Sequence, residues 1–155
     1  RYILLALLLH FSFKTHKQEE AEKFLASLKY DNETKRNVAK YIKCLDSIGQ
    51  ASPRNIRKTV SEFGASVASD VYKIRSITNP NENINEDFLN TILEMPPIGL
   101  SLSGSDLKNA GFKGKEISNI LSILSLCVFE KPELNDRQTL LEIADKISQR
   151  IRYGE

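Results

Sequence analysis

From Asp31 onward, apolar residues recur three and four positions apart, and no window keeps a strand-like alternation. That period excludes a sheet-based fold and predicts helices throughout. Val38, Tyr41, Ile42, Leu45 and Ile48 set one helix face, with Asp31 or Asn32 as its cap. Ser52-Pro53 is a start signal, a capping residue followed by proline in the first helical position. Ile56, Val60 and Phe63 make a stripe that Gly64 can end. Val67, Val71, Ile74 and Ile77 make the next. Asn79-Pro80-Asn81 breaks the chain, and a short helix near Glu86 to Leu93 stops at Pro96-Pro97. Ser103-Gly104-Ser105-Asp106 predicts a capping box for a short helix ending at Gly111. Ile117, Ile120, Leu121, Leu124 and Val128 follow on one face. Asp136 caps a last helix carrying Leu140, Leu141, Ile143, Ala144 and Ile147. The expected fold is all-α, an irregular helical bundle of two small subdomains, 1–78 and 79–155. The Asn-rich stretch from Asn79 to Asn85 is the expected boundary.

At 155 residues and 41% hydrophobic, the chain is too apolar to be disordered. It is long enough for one core or two small ones. The formal net charge of +2 conceals a pattern. Residues 1–77 hold 14 basic and 8 acidic groups, residues 78–100 hold 4 acidic and no basic groups, and residues 101–155 hold 8 of each. The chain begins with Arg1, and its only methionine is Met95, so a fragment or a processed chain is expected. The run from Tyr2 to Leu9 mimics a signal peptide. It falls short of the roughly 20 apolar residues a span needs, and no small-x-small cleavage site follows. It is expected to be a buried helix cut from a longer chain, with no membrane partner. Cys44 and Cys127 form no C-x-x-C, which fits two reduced core thiols of a cytoplasmic protein.

A catalytic site is not expected. The histidines are His10 and His16, and His10 precedes Phe11 where a His–Asp hydrolase would need Asp. His10 reads as a helix-end residue. No D-x-D pair exists to hold magnesium, so no metal ligand is expected. Glu86-Asp87 reads as first-turn charge favoured by the helix dipole. No phosphate loop of the G-x-x-x-x-G-K-[ST] kind is present.

Two stretches suit nucleic acid. In Gly111-Phe112-Lys113-Gly114-Lys115, Gly111 can end a helix and Gly114 lets a ligand approach the backbone. The unpaired amides that open the next helix, with Lys113 and Lys115, can hold a backbone phosphate. Ser118, Ser122 and Ser125 lie behind, small enough for a backbone to come close. An ordinary helical corner with solvated lysines satisfies the same spacing. The second stretch is Arg54, Arg57 and Lys58, one turn apart. Lys35, Arg36, Lys40 and Lys43 lie on the preceding helix, where Arg36, Lys40 and Lys43 can share a face. A solvated face is the alternative. Phe112 and Tyr30 could stack on bases or pack in the core.

The run from Ser103 to Ile117 resembles the tail of bacterial CCA-adding tRNA nucleotidyltransferases, with G-x-D-L, a glycine, a basic Gly-containing loop and a helix. The continuation Val128-Phe129-Glu130-Lys131-Pro132-Glu133-Leu134-Asn135 is similar, as is Ala21 to Asn32 to the body region. The family's catalytic D-x-D and its E-D-x-x-R template phrase are absent. Glu86-Asp87-Phe88-Leu89-Asn90 ends in Asn and stands in the wrong order. The resemblance implies the C-terminal body and tail, which grip the acceptor and T arms of tRNA. A missing head would add CCA from CTP and ATP with magnesium. It implies that Lys113, Gly114, Lys115 and Ser118 contact phosphates, with Arg54, Arg57 and Lys58 extending the track. A poly(A) polymerase shares this architecture. A helix–hairpin–helix-like module and a helical interaction domain using the acidic 78–100 segment are the other readings.

Overall fold

The computed structural model describes residues 2–13 and 17–153, the last three of them by backbone alone. His16 therefore lies outside the described residues. The chain is all-α. The described residues form nine α-helices: α1 (Tyr2–Ser12), α2 (Lys17–Ser27), α3 (Asn32–Ser47), α4 (Pro53–Phe63), α5 (Ala65–Thr78), α6 (Glu86–Glu94), α7 (Gly104–Asn109), α8 (Lys115–Glu130) and α9 (Arg137–Tyr153). A short 3-10 turn, Pro132–Leu134, precedes α9.

The helix starts obey local chemistry. The Asp31 carboxylate accepts from the Thr34 amide at 2.7 Å, which satisfies one of the orphan N–H groups opening α3. Ser52 caps α4 with Pro53 at the first position. Ser103 and Asp106 form a reciprocal capping box on α7. Asp136 accepts from Thr139 at 2.8 Å to start α9. Gly64 takes φ 82° between α4 and α5, a turn that a side chain would strain.

The chain divides into two compact units, Arg1–Pro97 and Ile98–Glu155. The break expected at 78/79 falls instead inside the first unit. There, Ile92 of α6 is buried in the same cluster as Val60, Ala68 and Tyr72. Phe88 meets Tyr72 edge to face with centroids 6.1 Å apart. Arg75 Nε donates to Glu82 at 2.7 Å, and Glu82 also accepts from the Ala51 amide at 3.3 Å. The Asn-rich stretch is thus a tied turn. Pro96 and Pro97 stand where the units part.

Within the first unit, α5 is buried on two sides. Val67 and Val71 join a cluster with Ala6, Leu25, Val38 and Ile42. Ala68 and Tyr72 join the cluster with Ile56 and Ile92. Ile77, expected on the buried stripe, is 76% exposed in the last turn, beyond both clusters. The expectation that α1 is a buried helix is also corrected. Ala6 and Leu9 are buried, but Leu4, Leu8 and Phe11 face outward. The second unit has one core: Leu102, Leu107, Phe112, Ile120, Leu124, Val128, Leu140 and Ala144. The Asn135 side chain ties its start, accepting from the Ser101 amide and donating to the Gly99 carbonyl, both at 2.9 Å.

Candidate nucleic-acid interface

The basic loop lies wholly in the second unit. Helix α7 ends at Asn109, and Gly111 takes φ 97°. The Phe112 amide donates back to the Leu107 carbonyl at 3.1 Å, and its ring is buried in the core. Phe112 is therefore an anchor and offers no face to a base. Lys113 follows, exposed, and Gly114 at φ 58° and ψ −135° opens α8. No side chain caps that helix, so the amides of its first turn point outward from exposed Lys115. The loop thus presents Lys113, Gly114 and Lys115 together on a fixed backbone. Ser118 is exposed one turn on, and its hydroxyl donates to the Lys115 carbonyl at 3.1 Å. Ser122 and Ser125 do likewise with the carbonyls of Ser118 and Leu121, both at 2.9 Å. These hydroxyls keep acceptor capacity only.

The other candidate basic groups lie in the first unit. Arg54 and Lys58 are exposed on α4, and Arg57 between them is half-buried. The face of α3 is more concentrated. Lys35, Arg36, Lys40 and Lys43 line one open cleft of about 1000 Å³ between α2, α3 and α4. Arg54, Arg57 and Lys58 are not in its lining. Periodicity alone put Arg36, Lys40 and Lys43 on one face. It could not show that α2 and the end of α4 wall that face into a cleft. Tyr30, the other aromatic considered for stacking, packs against the core of α1–α3.

His10, Cys44 and Asp106 serve the packing and capping of the fold. His10 Nδ1 sits 3.5 Å from Asp46, and Lys17 Nζ bridges at 3.2 Å to both Asp46 and His10 Nε2. Burial, then the Lys17 ammonium, holds the His10 pKa below its ordinary value, against the pull of Asp46. Burial pushes the Cys44 thiol up to about 12, so it stays protonated and unreactive. Asp106 lies well below the usual carboxylate range, first because Ser103 hydrogen-bonds it and then because Arg137 pairs with it at 2.9 Å. Among the described residues, no group of three His, Cys, Asp or Glu could hold a metal ion.

A family model for tRNA nucleotidyltransferase domain 2 matches residues 3–144. The chain belongs to that family. As a member of the tRNA nucleotidyltransferase domain 2 family, it has tRNA as the implied partner. The match spans both compact units, so the basic loop and the α3 cleft fall within one family domain. No curated protein and no solved structure matches the chain. No helix among the described residues is long and apolar enough to cross a membrane.

Proposed function

We propose that this chain is the tRNA-gripping helical part of a CCA-adding nucleotidyltransferase. The family match over residues 3–144 carries the reading. The chain contributes binding. Lys113 and Lys115 neutralise backbone phosphates, and the Gly114 and Lys115 amides donate to their oxygens where no side-chain cap competes. Ser118 takes a place beside them, and in the first unit Arg54, Arg57 and Lys58 of α4 make phosphate contacts of their own. The acceptor and T arms are the parts of tRNA gripped, in a cytoplasmic setting. The D-x-D carboxylates, with magnesium, CTP and ATP, belong to a catalytic head outside residues 1–155. Phosphate contacts hold an RNA in register without reading its bases, which suits an enzyme that must accept many tRNAs.

Binding to folded tRNA, compared with an unrelated duplex of similar length at low salt, tests this directly. The chain should prefer tRNA, and no tRNA binding would sink the reading. Lys113→Ala with Lys115→Ala should flatten the dependence of log affinity on log salt by about two, one for each phosphate left without its lysine. The chain alone should incorporate no nucleotide. Joined to its catalytic head, it should extend a tRNA lacking its 3′ end by C, C and A. A run of A instead would make the parent a poly(A) polymerase.

A further inference from the structure

We propose that the cleft between α2, α3 and α4 is a second phosphate groove for the RNA backbone, with Lys35, Arg36 and Lys40 as its cations. The proposal rests on the RNA-binding function above and adds a groove separate from the loop and from Arg54, Arg57 and Lys58. Six positions of α3 face the cleft, and four of them are basic. From Lys35 to Lys43 the helix rises about 12 Å, enough to meet more than one phosphate of a strand.

The four cations of the lining outnumber its two carboxylates, Glu22 and Glu62. Glu62 pairs with Lys43 at 3.3 Å, and Glu22 accepts from Gln18 at 3.1 Å. Among the described residues, no carboxylate pairs with Lys35, Arg36 or Lys40. These three cations are therefore available to an outside anion. The α2 and α3 sides also carry Ala26 and Ala39, which leave room for a backbone to approach.

Two further observations favour phosphate over base. Phe63, the aromatic of the lining, is 4% exposed and has Lys43 Nζ 5.7 Å above its ring. It offers no stacking platform, so the cleft recognises charge. Beside it, Gly64 opens α5 with no side-chain cap, and Lys40 Nζ lies 4.0 Å from where a Gly64 Cβ would sit. A phosphate held by Lys40 would also meet the positive end of α5.

The test compares three forms of the whole chain on folded tRNA across a salt series: the native chain, Arg36→Ala with Lys40→Ala, and Lys113→Ala with Lys115→Ala. Arg36 and Lys40 are not buried, so circular dichroism should show both variants folded. The cleft variant is expected to lower the salt slope by about two. Arg36→Lys with Lys40→Arg should restore it, because holding a phosphate needs charge more than shape. Titration of the labelled native chain with a short RNA duplex should shift the amides of Lys35, Lys40 and Ala65. If the native chain binds tRNA and the loop variant loses slope while the cleft variant does not, the groove is wrong and the function stands. If the native chain binds no tRNA, both fall. An acidic peptide that moves those amides while RNA leaves them still would also overturn the groove.

Discussion

The two compact units reach similar net charge by different routes. The first, residues 1–97, holds 14 basic and 12 acidic groups, and the second, residues 98–155, holds 8 of each. The basic front of the sequence and its acidic middle share one unit. What remains is local. In the first unit, Arg75 absorbs Glu82 and Lys43 absorbs Glu62, while Lys35, Arg36 and Lys40 keep their charge for the α3 cleft. In the second, the lysines stand on a loop whose backbone is pinned. The lesson is that charge acts through its nearest partners, and a segment total does not reveal it.

The largest effect should come from breaking one core and watching the other. Leu124 is fully buried in the second unit, and Leu124→Ala should cost about 2–5 kcal/mol. Hydrogen exchange should then speed in α7–α9 and hold in α3–α5. Equal loss in both would mean the two cores melt as one. Next is Asn135→Ala, which removes both bonds that tie Gly99 and Ser101 and should cost about 1–3 kcal/mol in urea unfolding. The caps give a closer match between units. Ser52→Ala in α4 and Ser103→Ala in α7 should each cost about 1 kcal/mol, and Ser103 the more, since it also holds Asp106.

The smallest expected effect separates the units by pH. The folded state holds the His10 pKa below 6.5, so the unfolded chain takes up the proton first. That stability is present above pH 6.5 and lost as pH falls through the lower folded value. The second unit's depressed groups are Asp106 and Asp136, whose contributions are present above pH 3.8 and lost only as pH drops further. Lowering the pH from about 7.5 to about 5.5 should therefore loosen α1 in exchange measurements and leave α7–α9 unchanged. His10→Asn should remove the difference.

Much of this was legible in the sequence, because caps are local. Asp31, Ser52, Ser103 and Asp136 need only neighbours three residues away, and each starts a helix where expected. The basic positions of the loop were legible for the same reason. The domain boundary was not. Asn and Pro mark a turn, but only packing decides whether the turn is tied, and Arg75, Tyr72 and Ala51 tie this one. Composition likewise made α1 look buried, while the structure covers only the side bearing Ala6 and Leu9. The cleft needed α2 and α4 brought to α3, which no helical period encodes.

The buried Phe112 ring has a kinetic consequence. It fixes Lys113 and Lys115 on a loop that folding has already ordered, so an anion bound there as proposed would have little chain left to immobilise. Long-range charge would govern how fast the anion arrives, and that rate would fade with salt. The anchored ring would instead govern how long it stays. The loop's two contributions would then be separable in a single experiment, one in the encounter rate and the other in the residence time.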